Sequence, residues 1–486
     1  MLRSAISDYH DVDEIYRKLD RLITQPIRPI ARPVMQEYLA YFEQRCAKSK
    51  EMIDVAKEYI PGGVQHNLAF NYPHPVVFTK AEGAHLYDLD GNRYIDFLQA
   101  GGPTVLGSNF PAVREKIQAL IADCGPSTGL FHEYELKIAR KICELYPSVD
   151  LFRMLGSGTE SVMAAIRVAR LATRKKKIVK LGGAYHGWSD QMVYGLRIPG
   201  TRGFEAHGIP SACRRHTQEV KPNDIDALES TLNWNRIRGG TAAVILEPIG
   251  PESGTRPVAF DYNQKVRELC NRYDALLIFD EVVSAFRIGL SGAQGYFDVT
   301  PDMTVFGKVV AGGYPSAGGL GGRRDLMEHL AAGLQGNKKR AMVGGTMAAN
   351  PLSSAAGYYT ICEIEKNDAC VKAGQAGDRL TAGLNRIIDK HNLPFVAYNQ
   401  ASICHLETSA TMFIPFSLIG IRNFLKEVKS RKHMMEEMGA AYMAEGTVTL
   451  AGSRMYTSMA DTDEVIDDAL TRFERVLEKT EPTQSS

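Results

Sequence analysis

Along the middle of the chain, short apolar runs alternate with stretches whose apolar residues recur at helical spacing. Phe152-Arg153-Met154-Leu155, Ile178–Leu181, Ala242–Leu246 and Ala275–Phe279 have the length and character of strands. Helices are predicted over Ala112–Ile121 and Glu133–Leu145. Another follows Gly156–Glu160, where Val162, Ala165, Ile166 and Ala169 share one face. Runs that are apolar throughout, rather than alternating, suit strands covered on both faces. Their alternation with helices predicts an α/β fold, a large domain over residues 110–351 with a mainly parallel, doubly wound sheet.

The flanks have a different texture. Residues 1–60 are expected to form a helical N-terminal extension. Tyr38, Leu39, Phe42, Met52, Val55 and Ala56 follow helical spacing there, and Pro26, Pro29 and Pro33 interrupt it. Residues 61–109 open on the turn Pro61-Gly62-Gly63-Val64. They carry a small antiparallel β-unit at 76–97, with Asp88-Leu89-Asp90-Gly91-Asn92 as its hairpin turn. After Asn350-Pro351, helices over Leu352–Ile364 and Val371–Lys390 mix with short strands at Phe395–Tyr398 and Ile403–Leu406. This predicts a smaller C-terminal α+β domain over 352–480, followed by a polar tail at 481–486. Its last helix lines up Val465, Ala469, Phe473 and Val476, with Asp461 and Glu464 as a capping pair.

At 486 residues the chain exceeds what one small core can organise. Its 44% apolar and 23% charged residues are those of an ordinary globular protein. A net charge of +1 offers no footprint for a nucleic-acid or membrane partner. The basic run Arg174-Lys175-Lys176-Lys177 follows a helical pattern and reads as a solvated helix end. No segment approaches the ~18 apolar residues of a membrane span, and Met1-Leu2-Arg3-Ser4 lacks the apolar core of a signal peptide. The eight cysteines are dispersed without a C-x-x-C pair, so a reducing cytoplasm is expected. The twelve histidines show no metal-ligand spacing, and no metal is expected.

The candidate chemistry sits at strand ends. The run Ala275–Phe279 delivers Asp280-Glu281 to the carboxyl edge of the sheet, where open α/β sheets bind ligands. Lys308, in Phe306-Gly307-Lys308-Val309-Val310, stands among apolar residues. A lysine in a dry site loses basicity and becomes a nucleophilic amine. Gly156-Ser157-Gly158-Thr159-Glu160 joins a strand pattern to a helix pattern, a geometry that suits an anion. Tyr185, in Ala184-Tyr185-His186-Gly187-Trp188, follows the strand Ile178–Leu181 and offers an aromatic face at the same edge. Thr346, in Gly344-Gly345-Thr346-Met347, is a second candidate phosphate ligand. Each element has a bland reading: a strand cap, a turn lysine, plain glycine turns. Together, an acid able to hold a pyridinium nitrogen and a lysine able to form a Schiff base are what pyridoxal phosphate asks of a protein.

In this order the motifs resemble the class III pyridoxal-phosphate-dependent aminotransferase family, fold type I. Within it they are most similar to the glutamate-1-semialdehyde 2,1-aminomutase branch. The likeness is carried by Pro61–Val64, the Asp88–Asp96 hairpin, Ser157–Glu160, Tyr185–Gly187, the segments 278–296 and 307–324, and Gly345-Thr346 with Asn350-Pro351. The resemblance implies Lys308 as the Schiff-base lysine and Asp280 as partner of the pyridine nitrogen. It places Tyr185 and Val282 on opposite faces of the coenzyme ring. Ser157, Gly158 and Thr159 become the phosphate loop, and Thr346 a phosphate ligand given to the neighbouring subunit. A homodimer with shared active sites follows from that last role. The implied activity is an aminotransferase moving an amino group from an amino acid or related amine to a keto acid or aldehyde. The same scaffold also admits an intramolecular aminomutase, an amino-acid racemase or epimerase, or a coenzyme-binding protein without turnover.

One stretch departs from the aminomutase pattern, which has Ser and Arg shortly after Pro-Gly-Gly-Val to hold the substrate carboxylate. Here the residues are Gln65-His66-Asn67-Leu68-Ala69-Phe70, and no Arg occurs between Lys57 and Arg93. A carboxylate is best met by a bidentate Arg, so the departure argues against glutamate-1-semialdehyde as substrate. His66, Asn67 and Arg454 are the candidate substrate-binding groups, with a structural ion pair as the alternative for Arg454. Arg287 is shared with the branch and explains no change in specificity.

Overall fold

The computed structural model describes residues 9–69, 71–125, 129–333, 339–416 and 420–483. The chain divides into two compact units. The first comprises Pro103–Val105 and Pro111–Val371 together with Tyr9; the second comprises His10–Gly102, Leu106–Phe110 and Lys372–Ser486.

A seven-stranded sheet organises the first unit. In spatial order its strands are Leu151–Leu155, Gly318–Gly322, Met303–Gly307, Leu276–Asp280, Thr241–Leu246, Lys177–Leu181 and Thr217–Val220. The five from Met303–Gly307 to Thr217–Val220 run parallel. Gly318–Gly322 runs antiparallel to both of its neighbours. Thr241–Leu246 is buried at every position, which is why a fully covered strand reads as an almost unbroken apolar run. The helix Gly158–Thr173 buries Val162, Ala165, Ile166 and Ala169, the predicted face.

Three strands escape the hydrophobic pattern: Thr217–Val220, Met303–Gly307 and Gly318–Gly322. The last is Gly-Gly-Leu-Gly-Gly, and a strand almost without side chains has no period to read. The boundary expected at 351/352 also shifts. Pro351–Lys366 is one helix that packs on the helices Pro111–Cys124 and Glu133–Leu145 and buries Ala355, Ala356, Ile361 and Ile364. It belongs to the first unit, which continues to Val371.

The second unit draws most of the described residues before Pro111 into one core with the C-terminal residues. Phe42, Tyr94, Phe97, Tyr398, Tyr442 and Phe473 belong to a single buried cluster. His85–Asp88 and Arg93–Asp96 pair antiparallel, with Tyr87 opposite Arg93, and Phe78–Glu82 adds a third strand. The Asp88 carboxylate accepts from the Asn92 amide at 2.7 Å and the Tyr94 hydroxyl at 2.8 Å, closing the turn. The N-terminal helices are Val12–Thr24, Arg32–Arg45 and Ala47–Ala56. In the third, Met52 and Val55 face solvent while Ser49 and Ile53 are buried, so the expected stripe is rotated.

The expected capping pair is also replaced. Thr462 caps Asp463–Leu477, its hydroxyl accepting from Val465 N. Asp461 instead accepts from Ser458 N at 2.6 Å. The long helix Ile421–Ala444 has no counterpart in the sequence expectations. Among the described residues, no helix is long and apolar enough to cross a membrane.

Candidate active site

Leu276–Asp280 and Met303–Gly307 are parallel neighbours with Asp280 opposite Val305. Asp280 and Lys308, the first residue beyond the second strand, therefore leave the sheet at the same carboxyl edge. Asp280 is buried. Its Oδ2 lies 2.7 Å from His186 Nδ1, and its Oδ1 accepts from Val282 N at 3.1 Å. His186 has no exposed surface, and burial holds its imidazole below the usual range against the opposing pull of Asp280. A neutral ring with its hydrogen on Nδ1 donates to Asp280. Lys308 is partly buried and takes a left-handed backbone at φ +47°, which turns the chain sharply off the strand. For a residue with a Cβ that conformation costs ~1 kcal/mol or more and concentrates at functional sites.

Val282 follows the acid and is gripped from two sides. A Cβ added at Gly158 would stand 2.8 Å from one Val282 methyl, and a Cβ at Gly307 would stand 2.7 Å from the other. Val282 is thereby pinned between the start of the Gly158–Thr173 helix and the strand end before Lys308. Ser157 caps that helix, its hydroxyl accepting from Glu160 N at 3.2 Å. The N–H groups of Gly158 and Thr159 have no acceptor within the helix, so they can meet an anion. Gly187 packs so tightly on Thr159 that a Cβ there would overlap its hydroxyl. Tyr185 is half-exposed, and its backbone N–H donates to Glu247 Oε1 at 3.0 Å.

The structure thus gathers Ser157, Gly158, Thr159, Tyr185, Asp280, Val282 and Lys308 at one end of one sheet. The donor set fits a flat coenzyme with an anionic tail and a basic ring nitrogen. A helix N-terminus could receive the tail, a buried acid could meet the nitrogen, and the Lys308 amine leaves the sheet at the same edge. Thr346 is exposed, and its neighbour Gly345 lies against the Glu160 side chain. His66, Asn67 and Arg454 belong to the second unit. His66 Nδ1 accepts from Leu68 N at 3.0 Å, Asn67 begins the short turn Asn67–Ala69, and Arg454 begins a strand paired with Ile403–Glu407. Among the described residues, no group of three or more His, Cys, Asp or Glu is placed to hold a metal.

Three residues at this edge were not singled out from sequence: His186, Lys180 and Glu247. Lys180 lies in the strand Lys177–Leu181 with no exposed surface, and burial pushes its pKa down to about 8. Glu247 follows Thr241–Leu246, and burial pushes its carboxyl up to about 8, with Glu252 and Asp280 acting in the same direction. The signals were present: a lysine inside an apolar strand, and an acid directly after an apolar run, as at Asp280.

Comparison with known proteins bears on the family and the fold. The family model described as aminotransferase class-III matches residues 68–398. A glutamate-1-semialdehyde 2,1-aminomutase of Acetivibrio thermocellus is 40% identical over 347 residues, spanning 70% of this chain and 79% of that protein. An omega-transaminase from Sphaerobacter thermophilus is 26% identical with a TM-score of 0.78, covering 89% of this chain and 97% of its own. A glutamate-1-semialdehyde aminomutase structure from Pseudomonas aeruginosa PAO1 shares the fold at a TM-score of 0.78 and 23% identity, covering 96% and 99%. With its mostly parallel sheet and the acid and lysine at one strand edge, the chain belongs to the class III aminotransferase family.

Proposed function

We propose that this chain moves the amino group of a small amino compound by class III chemistry, with Lys308 as the proton carrier. The observation that carries the reading is that Asp280, buried and paired with His186, leaves the sheet beside Lys308 at the same edge. The cofactor is pyridoxal 5'-phosphate, which when bound supplies an electron sink that acidifies the carbon bearing the amino group. In this reading Asp280 holds negative charge against the ring nitrogen, and His186 fixes the direction its carboxylate faces. The Lys308 amine takes a proton from the substrate carbon and returns it elsewhere. Tyr185 and Val282 exclude water from the two ring faces. The first-turn N–H groups, with the Ser157 and Thr159 hydroxyls, hold the phosphate.

Two fates of the amino group are supported by different observations. The curated relatives are named aminomutases, which favours transfer within one molecule. A two-molecule transfer from an amino acid or amine to a keto acid or aldehyde is favoured by the stretch after Pro61–Val64. It lacks the Arg expected for the aminomutase substrate. The substrate-side readings of His66, Asn67 and Arg454 rest on the sequence. A cytoplasmic homodimer belongs to the same proposal, with the exposed Thr346 serving the partner's phosphate.

The test is a half-reaction. A donor alone that bleaches the visible band of the loaded protein stoichiometrically, with recovery on adding a keto acid, supports two-molecule transfer. Isomerisation of an amino aldehyde without any acceptor supports the aminomutase. Exchange of the donor's Cα hydrogen with solvent and no bleaching points to racemisation. A wild-type protein that develops no visible band with the coenzyme sinks the whole reading.

A further inference from the structure

The strands Lys177–Leu181 and Thr241–Leu246 are neighbours in the sheet. Each brings one buried ionisable side chain to the same peptide group. Lys180 Nζ donates to the Ala184 carbonyl at 2.6 Å, and Glu247 Oε1 accepts from the Tyr185 N–H at 3.0 Å. That carbonyl and that N–H are the two poles of one planar unit, the Ala184–Tyr185 peptide. Lys180 has no exposed surface and Glu247 only 7%.

Burying an ammonium and a carboxyl is unfavourable unless each is fully engaged, and neutral groups could satisfy one peptide bond. Both side chains are also held from behind. Lys180 Nζ donates to the Tyr194 carbonyl at 2.8 Å, at the far end of the same loop. Glu247 accepts from Glu252 N at 3.0 Å and Ser253 N at 2.6 Å. Those two residues sit at φ +54° and +57°, so their turn is itself constrained. The clamp cannot follow the peptide if it rotates. What rotation would move is the next two side chains, Tyr185 and His186.

We propose that Lys180 and Glu247 are positioning residues that act through the Ala184–Tyr185 peptide to set the Tyr185 ring and the His186 imidazole toward the bound coenzyme. The proposal rests on the coenzyme reading above.

The experiment compares Lys180→Met, Glu247→Leu and Glu247→Gln with wild type in the full chain. Three quantities are read: the coenzyme dissociation constant, the dichroic intensity of the visible band per bound coenzyme, and hydrogen exchange at the Tyr185 amide in coenzyme-free protein. Lys180→Met and Glu247→Leu should each weaken coenzyme binding by about tenfold or more, the scale of a lost hydrogen bond to a charged group. Each should also change the dichroism per bound coenzyme. Glu247→Gln keeps an acceptor oxygen and should restore both. The double variant should be no worse than the worse single, because both release one peptide. In a Tyr185→Ala background, Lys180→Met should cost less than in wild type, because only the part of its effect that passes through His186 remains. Thermal midpoints that fall while affinity and per-coenzyme dichroism stay at wild-type values would overturn the proposal. So would additive losses, or rapid exchange of the Tyr185 amide in wild type, a readout that needs no variant to fold. Unaltered variants beside a normal wild-type band overturn the clamp alone; absence of a wild-type band overturns the coenzyme reading and the clamp with it.

Discussion

His186 Nδ1 lies 2.7 Å from Asp280 Oδ2, in a place where the imidazole is fully buried and the carboxylate nearly so. A carboxylate so enclosed has few ways to be oriented, and the His186 imidazole is a side-chain partner at hydrogen-bond distance. His186→Phe removes the donor while keeping an aromatic ring. We expect kcat to fall about tenfold or more, the scale of one lost hydrogen bond to a charged group, with the donor KM changed much less. Steady-state kinetics over a range of donor concentrations checks the split; a change confined to KM would assign His186 to substrate binding instead.

Lys308→Ala should abolish transfer and remove the Schiff-base band while leaving the fold intact, since the side chain leaves a strand end rather than the core. Its left-handed backbone also makes Lys308→Gly informative. That variant should be equally inactive yet melt at or above the temperature of Lys308→Ala, because glycine accepts the conformation freely. A lower melting temperature for the glycine variant would contradict the strain assigned to this position.

The space around Val282 gives a third prediction. Gly158→Ala places a methyl 2.8 Å from a Val282 methyl, and overpacking of that kind costs ~1–3 kcal/mol. The displaced valine should intrude on the ring face, so coenzyme affinity should drop more than stability does. Val282→Ala in the same protein should recover part of the loss. Coenzyme titration of the two singles and the double is the measurement.

Stability should carry a pH signature from Glu281. It is fully buried, accepts from Ala293 N at 2.7 Å and Ser284 Oγ at 3.1 Å, and burial pushes its carboxyl up to about 8. A folded pKa above the unfolded value of 4.5 means the native state binds more protons between those limits. The contribution is therefore full below pH 4.5 and is lost as the pH rises through about 8. Urea midpoints should fall from pH 5.5 to 9, and Glu281→Gln should flatten the decline. A variant that keeps the full slope would assign it to other groups, of which Glu247 is the first candidate.

That the candidate residues Asp280, Lys308 and Ser157–Thr159 share one end of the sheet was legible because each is marked by contrast. Asp280 ends an apolar run, Lys308 stands alone among apolar residues, and Ser157–Thr159 interrupt a strand-to-helix junction. The residues that support these were harder to see for the same reason. His186 carries no local mark of its own beside Tyr185, and its partner is 94 positions away in the chain. Lys180 sits in a strand with Ile178, Val179 and Leu181, where one lysine does not disturb an apolar reading. The course of the outer chain was also opaque: N-terminal and C-terminal residues share one core in the second unit, and no local pattern announces which distant segments will meet.

The glycine strand Gly318–Gly322 bears on how this protein tolerates change. A Cβ at Gly319 would stand 2.6 Å from the Phe152 ring, at Gly321 2.8 Å from Val149, and at Gly322 2.7 Å from the Asp302 carbonyl; at Gly318 it would overlap the Ser157 backbone. In a saturation library selected for activity, these positions should be depleted as severely as Lys308, although they carry no reactive group. A depletion map read without the structure would assign the strand to the reaction, whereas its variants should be lost from the soluble fraction before any donor is added.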